Sequence, residues 1–381
     1  MSKVRVPFLD LAGPHAELGQ RLSAATSRVV VSNNFVLGPE VARFESEWAG
    51  YCGVEHAIGV GNGLDALHLI LRALDVGPGD EVIVPANTFI ATWLAVTMSG
   101  AVPVSVASDY ETFNLDPSLI EGAVTDKTKA IIAVHLYGQP ADIDALSEIA
   151  TRRCIHLVED AAQAHGAMYR ERRIGGHSVA AAWSFYPGKN LGALGDAGAV
   201  TTRDREIADK IRVLRNYGSR IKYEHLLPGV NSRLDEIQAA ALSEKLPLLD
   251  EWNARRTSVA QAYGAALGPL VREAAHDDSC QLLSIPVTRD WATPVWHLYV
   301  IRVSDRDTAM KFLSSRGIET SIHYPTRPDQ QAAFNLDKTM TTGPAASDDS
   351  HQLLSLPIGP HLSRGQVAEV VAACEELFAT R

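Results

Sequence analysis

Residues 57–85, AIGVGNGLDALHLILRALDVGPGDEVIVP, hold in one stretch the alternation from which the fold can be read. Residues 57–60 and 81–85 are short apolar runs with the length and composition of buried strands. Between them Leu64, Leu67, Leu71 and Leu74 recur at spacings of three and four, with Ile70 on the same face, which predicts an amphipathic helix over 63–74. Strand, helix and strand in this order form the unit from which parallel sheets with covering helices are built.

Outward from this stretch the alternation continues to residue 202. Further strands are expected at 102–106, 130–134, 155–160, 181–185 and 199–202, so the segment reads as α/β. Helices are expected at 204–215 and 234–246, followed by a long connecting helix at 252–266. Beyond residue 280 the pattern is strand (297–303), helix (307–316), strand (320–324) and helix (364–379), with a polar loop at 341–350. We therefore expect a large α/β domain over 1–250, N-terminal segment included, and a smaller C-terminal α+β domain over 251–381.

Composition narrows the function classes. With 46% hydrophobic and 21% charged residues the chain is of ordinary globular type. The 35 Lys and Arg against 45 Asp and Glu give a formal charge of -10, which repels nucleic acid and anionic membranes. No apolar run approaches the ~20 residues needed to cross a bilayer, and no signal-peptide core follows the N-terminus. Cys52, Cys154, Cys280 and Cys374 are scattered without a CxxC pair, which suits a reducing cytoplasm.

The chemistry concentrates in residues 181–198, AAWSFYPGKNLGALGDAG, where a strand ends in Ser184 and a glycine-flanked turn presents Lys189. A lysine amine attacks an aldehyde only when unprotonated, and a turn at a strand end is a place to hold it so. Glu159 and Asp160 close an expected buried strand, where a carboxylate needs a cation opposite. The pyridinium nitrogen of pyridoxal 5'-phosphate (PLP) is such a cation; the competing reading makes Asp160 the N-cap of a following helix. The turn Gly61-Asn62-Gly63-Leu64-Asp65 before a helix offers N–H groups to a phosphate. It runs GxGxGx rather than GxGxxG, which argues against a dinucleotide. Phe89 is placed either to lie on a flat cofactor face or to pack in the core, and Ser184 either to donate to phosphate or to sit exposed at its strand end. His135, His165, His297 and His323 lack metal-ligand spacing, so no metal is expected.

Taken together, these motifs resemble the DegT/DnrJ/EryC1/StrS family of sugar-nucleotide aminotransferases. The resemblance is strongest in GVGNGLDALHL, EVIVPANTFIATWLAV, HLYGQPADI, VEDAAQAHGA, SFYPGKNLGALGDAG, RNYGS and GVNSRLDEIQAA. It continues more loosely through WHLYVIR, GIETSIHYP and LSLPIG. It implies the aspartate aminotransferase-like (type I) fold, with a mixed, mostly parallel sheet between helices. It implies that Lys189 holds PLP as a Schiff base, Asp160 pairs with the ring nitrogen, Gln163 lies near the ring's 3-oxygen and Phe89 stacks on the ring. Phosphate contacts would come from the Gly63 and Leu64 backbone, Ser184, and Asn231 of a second subunit, hence a homodimer with shared sites. Tyr217, His323 and Tyr324 match positions near the sugar pocket. The implied reaction moves the amino group of L-glutamate, by way of pyridoxamine 5'-phosphate, to a nucleotide-linked keto sugar, with 2-oxoglutarate as co-product. The NGLDAL and FIATWLAV stretches look most like enzymes that aminate C3 of dTDP-3-keto-6-deoxyhexoses. Alternatives are C4 amination of a dTDP- or UDP-4-keto sugar and a PLP-binding regulator without turnover. Lys189 itself points away from the dehydratase relatives, which carry histidine there. Ala197 and Asp329-Gln330 depart from the common family pattern, the latter near the substrate contacts.

Overall fold

The computed structural model describes residues 4–272, 280–334 and 350–378. Seven strands form its main sheet: β1 (His56–Val60), β2 (Glu81–Pro85), β3 (Val102–Val106), β4 (Thr128–Val134), β5 (His156–Asp160), β6 (Ala180–Ser184) and β7 (Gly198–Thr202). Their order is β1-β7-β6-β5-β4-β2-β3. Pairings from β6 to β3 are parallel, and β7 runs antiparallel to both β1 and β6. This is the mixed, mostly parallel sheet expected.

Side chains alternate across the sheet, as a strand period of two requires. Ile58, Val82, Val84 and Ile132 pack on one face with Leu67 and Ile70 of helix Gly63–Ala73 and Trp93 of helix Ile90–Met98. Ile83, Ile131 and Ala133 pack on the other with Trp48 of helix Pro39–Cys52 and Leu146 of helix Ile143–Arg153. The result is a three-layer α/β/α unit. Its parallel strands all end at one edge, where ligands of such sheets bind. Asn62 fixes the first loop there by accepting the Asp65 N–H at 2.9 Å as an N-cap.

Glu159 and Asp160, neighbours on β5, face opposite sides. Glu159 is fully buried and accepts from the N–H groups of Gly175, His177 and Ser178, from the Ser178 hydroxyl, and from His135 Nε2 at 3.2 Å. His135 Nδ1 accepts the Ala141 N–H, so its Nε2 is the protonated nitrogen. Burial would raise Glu159, but these donors, His135 first, hold it at about 2. Glu159 is therefore a structural anchor away from the chemistry. Glu159→Ala strands several buried donors and is expected to cost about 3–5 kcal/mol, read from the denaturant midpoint.

The C-terminal region holds a three-stranded antiparallel sheet of Leu282–Ser284, Tyr299–Val303 and Leu353–Leu356, packed with helices Leu249–Leu267, Arg306–Ser315 and Arg364–Phe378. Val6 joins this core through a bridge to Ile318. The expected strand at 320–324 is absent apart from one bridge, Ser321 to Ser355. Beyond that bridge the chain turns inward, where His323 and Tyr324 line a cavity rather than alternate along a ladder. Residues 341–349 of the expected loop lie outside the described residues.

Candidate active site

At the carboxyl edge of the sheet lies a cavity of about 740 Å³. The ends of β5 and β6 and the segments that follow β1, β2, β5 and β6 bring Gly63 and Leu64, Phe89, Asp160 and Gln163, and Ser184 and Lys189 to its wall. His323 and Tyr324 enter from the C-terminal region, and Phe8 and Leu9 from the N-terminal segment.

Lys189 follows β6 on a turn closed by its own N–H to Tyr186 O at 2.8 Å. Enclosure lowers its amine from the ordinary lysine range to about 8, against the opposing pull of Asp160. About a tenth of the amine is thus unprotonated at pH 7, against well under a thousandth for an ordinary lysine, and it is this free form that acts as the nucleophile. Asp160 is raised by burial, a cost relieved only in part by the Thr92 hydroxyl at 2.9 Å and the Ala162 N–H at 3.2 Å. No helix follows Asp160, so the N-cap reading fails. A cation at this carboxylate removes the penalty, and a protonated pyridine nitrogen fits.

The phosphate end fits equally. A Cβ built on Gly63 would lie 2.7 Å from Ser184 Cβ, so only glycine lets helix Gly63–Ala73 begin this close to β6. The N–H groups of Gly63 and Leu64 belong to the first helical turn and have no intrahelical acceptor, and the helix dipole favours an anion there. Ser184 is half-buried, its hydroxyl accepting the Tyr186 N–H at 3.3 Å. Phe89 is 54% exposed with its ring 5.6 Å from that of Tyr324, which excludes the core-packing reading.

Gln163 is locked in orientation: its Oε1 accepts the Tyr137 N–H at 2.6 Å and its Nε2 donates to Tyr324 Oη at 3.0 Å. His323 Nδ1 meets Ser355 Oγ at 2.8 Å, and its ring stacks on Phe8 at 5.7 Å. Burial, then the Lys189 charge, holds His323 down at about 4, so it is a neutral ring at pH 7.

Two expected site residues lie elsewhere. Asn231 is exposed and bridges to Asn216, while Tyr217 is 49% exposed beneath the Arg233 guanidinium. Neither lines the cavity of its own chain. Arg215, in the same stretch, is buried, paired with Glu45 and donating to Gly59 O, and so serves the fold. Sequence reasoning missed Thr92, Tyr137 and Phe8. Their partners are 68, 26 and 315 residues away, respectively Asp160, Gln163 and His323, and no local pattern signals such contacts.

Residues 17–375 match the sequence pattern of the DegT/DnrJ/EryC1/StrS aminotransferase family. Over 373 residues the chain is 50% identical to the dTDP-3-amino-3,4,6-trideoxy-alpha-D-glucose transaminase of Streptomyces venezuelae, covering 98% of this chain and 96% of that protein. It is 47% identical to the dTDP-3-amino-3,6-dideoxy-alpha-D-galactopyranose transaminase of Aneurinibacillus thermoaerophilus, with 97% and 98% covered. The crystal structure of S. venezuelae DesV in complex with a ketimine intermediate superposes at a TM-score of 0.93 with 49% identity and all of both chains covered.

Proposed function

Because the chain belongs to the DegT/DnrJ/EryC1/StrS aminotransferase family and is a PLP-dependent sugar aminotransferase, we propose that it moves the amino group of L-glutamate to C3 of a dTDP-3-keto-6-deoxyhexose. The observation that carries this reading is the pairing, in one cavity, of a lysine amine held at about 8 with a buried carboxylate that has no salt-bridge partner among the described residues. When bound, the cofactor supplies an aldehyde to carry the amino group and a protonated ring to draw electrons from the reacting carbon. Lys189 Nζ would hold the cofactor's aldehyde and, when free, would move a proton at the carbon that bears the amino group. Asp160 keeps the ring nitrogen protonated. Gln163 and Phe89 would border the ring, and the Gly63 and Leu64 N–H groups with Ser184 would hold the phosphate. His323 and Tyr324 face the sugar.

Two named relatives act on sugars aminated at C3, and both align along nearly the full chain, which supports C3 over C4. We further propose a homodimer in which Asn231 and Tyr217 complete the partner's cavity. The exposed apolar side chains Phe35, Val36, Leu37, Ile221, Tyr223 and Leu226 support such burial. Among the described residues no helix is long and apolar enough to cross a membrane; we place the enzyme in the cytoplasm, where nucleotide sugars are made.

Incubation with L-glutamate and each of a dTDP-3-keto and a dTDP-4-keto sugar is expected to convert the first to its amine with matching 2-oxoglutarate, both read by mass. Preferential amination of the 4-keto sugar would refute the C3 assignment. A second expectation follows from the lowered Lys189. The rate at which cofactor-free protein captures PLP should rise about tenfold per pH unit below pH 8 and level off above it. A profile still climbing above pH 9 would contradict the enclosed amine.

A further inference from the structure

We infer that His297 presents a fixed hydrogen-bond acceptor, its Nε2, to a hydroxyl of the keto sugar inside the Lys189 cavity. This rests on the amino-transfer reading above and adds to it a residue that selects the sugar.

The protonation of the ring follows from a chain of hydrogen bonds whose direction starts at two backbone carbonyls. A carbonyl oxygen only accepts. Asn253 must therefore turn its Nδ2 toward His165 O, at 2.8 Å, and its Oδ1 toward Asn190 Nδ2, at 2.9 Å. Val295 O independently demands the same Asn190 Nδ2, at 2.8 Å. Asn190 is left with Oδ1 to offer His297 Nδ1, and their 3.2 Å contact is a hydrogen bond only when Nδ1 carries the proton. Burial, then the charges of Lys189 and Arg256, hold this histidine well below its ordinary range, so the ring stays neutral. A neutral imidazole protonated on Nδ1 has a bare lone pair on Nε2.

That lone pair has no partner among the described residues. The ring is half-buried and lines the cavity together with Lys189, Gln163 and His323. An acceptor here needs a donor from the ligand. The carboxylates of an amino-acid donor and the carbonyl of a keto sugar only accept, and the donor's amino group is consumed by the reaction. Of the groups on the keto-sugar ring, which has to come up to Lys189 to react, the hydroxyls are the donors that match. The same network also pins the turn, because Asn190 directly follows Lys189, Asn253 lies on helix Leu249–Leu267, and Val295 and His297 precede strand Tyr299–Val303.

The test uses PLP-loaded enzyme, with the glutamate and sugar half-reactions timed separately by single-turnover absorbance. His297→Asn keeps an amide where Nδ1 stands, retaining the Asn190 contact, but has nothing at Nε2. His297→Gln places an acceptor oxygen at the Nε2 position. His297→Asn is expected to slow the sugar half-reaction about tenfold more than the glutamate half-reaction, mainly through KM for the sugar. His297→Gln is expected to recover most of that difference. Equal slowing of both halves, no slowing of either, or a Gln variant no better than the Asn variant would overturn the inference. A wild-type enzyme that completes the glutamate half but aminates no keto sugar would instead sink the amino-transfer reading, and this inference with it.

Discussion

Lys189→Ala is expected to reduce amino transfer by about 10⁴-fold or more, the combined loss of a covalent anchor and of the group that moves the proton. The two polar side chains that enter from the C-terminal region are poor replacements. His323 is held at about 4 and Tyr324 is pushed far above its ordinary range by burial, so neither exchanges protons readily at pH 7. The fold should not suffer, because the substitution removes a poorly solvated amine rather than a packing group. The cofactor should still bind without a covalent link, through the phosphate cradle at Gly63 and the carboxylate at Asp160. A small primary amine added to the variant should restore part of the rate, which a folding defect would not allow. The variant is checked by single-turnover absorbance with L-glutamate; activity within tenfold of wild type would remove Lys189 from the chemistry.

Asp160→Asn is expected to slow the glutamate half-reaction by about 10²–10³-fold, the range for removing one preorganised charge from a developing transition state. The amide keeps the shape of the carboxylate and its contact with the Ala162 N–H, while Thr92 can reverse its hydrogen bond, so the pocket survives. Stability separates this electrostatic role from a structural one. Burial raises Asp160 in the folded protein above its unfolded value. Without cofactor the ionised carboxylate thus costs stability at neutral pH, a cost that vanishes as pH falls and the group protonates. Cofactor-free Asp160→Asn should therefore melt no lower than cofactor-free wild type at pH 7, yet gain less from added PLP. A variant that melts well below wild type without cofactor would mean that Asp160 serves the fold first.

How far the sequence carried differs between fold and site. The sheet was legible because β2, β3 and β4 are largely buried on both faces, so apolar residues dominate them and are bounded by turns, while β5 keeps only Leu157 and Val158 before its two carboxylates. Helix Pro39–Cys52 was missed although Val41, Phe44, Trp48 and Cys52 stand on one helical face; the signal was present and unread. The strand expected at 320–324 failed for another reason. Its composition is strand-like, but contacts to Ser355, Phe8 and Gln163, all distant in sequence, draw its end into the cavity. Within the site, Lys189, Asp160, Gly63 and Ser184 were visible because each closes or follows a recognisable strand or opens a helix. Asn190 and Asn253 were not, since an amide's role is set by partners that only folding brings together. Asn231 and Tyr217 were named through the family resemblance, and a single chain leaves both outside its own cavity.

Lys189 has a ready competitor as the residue joined to PLP. Lys245 is also buried, is lowered to about 8, and donates to Gly192 O at 2.6 Å in the neighbouring cavity of about 50 Å³. Borohydride reduction of the PLP-loaded enzyme, followed by proteolysis and peptide mass analysis, distinguishes them. The phosphopyridoxyl mass is expected on the peptide containing Lys189 and on no other. An unmodified Lys189, or the label on Lys245, would contradict it.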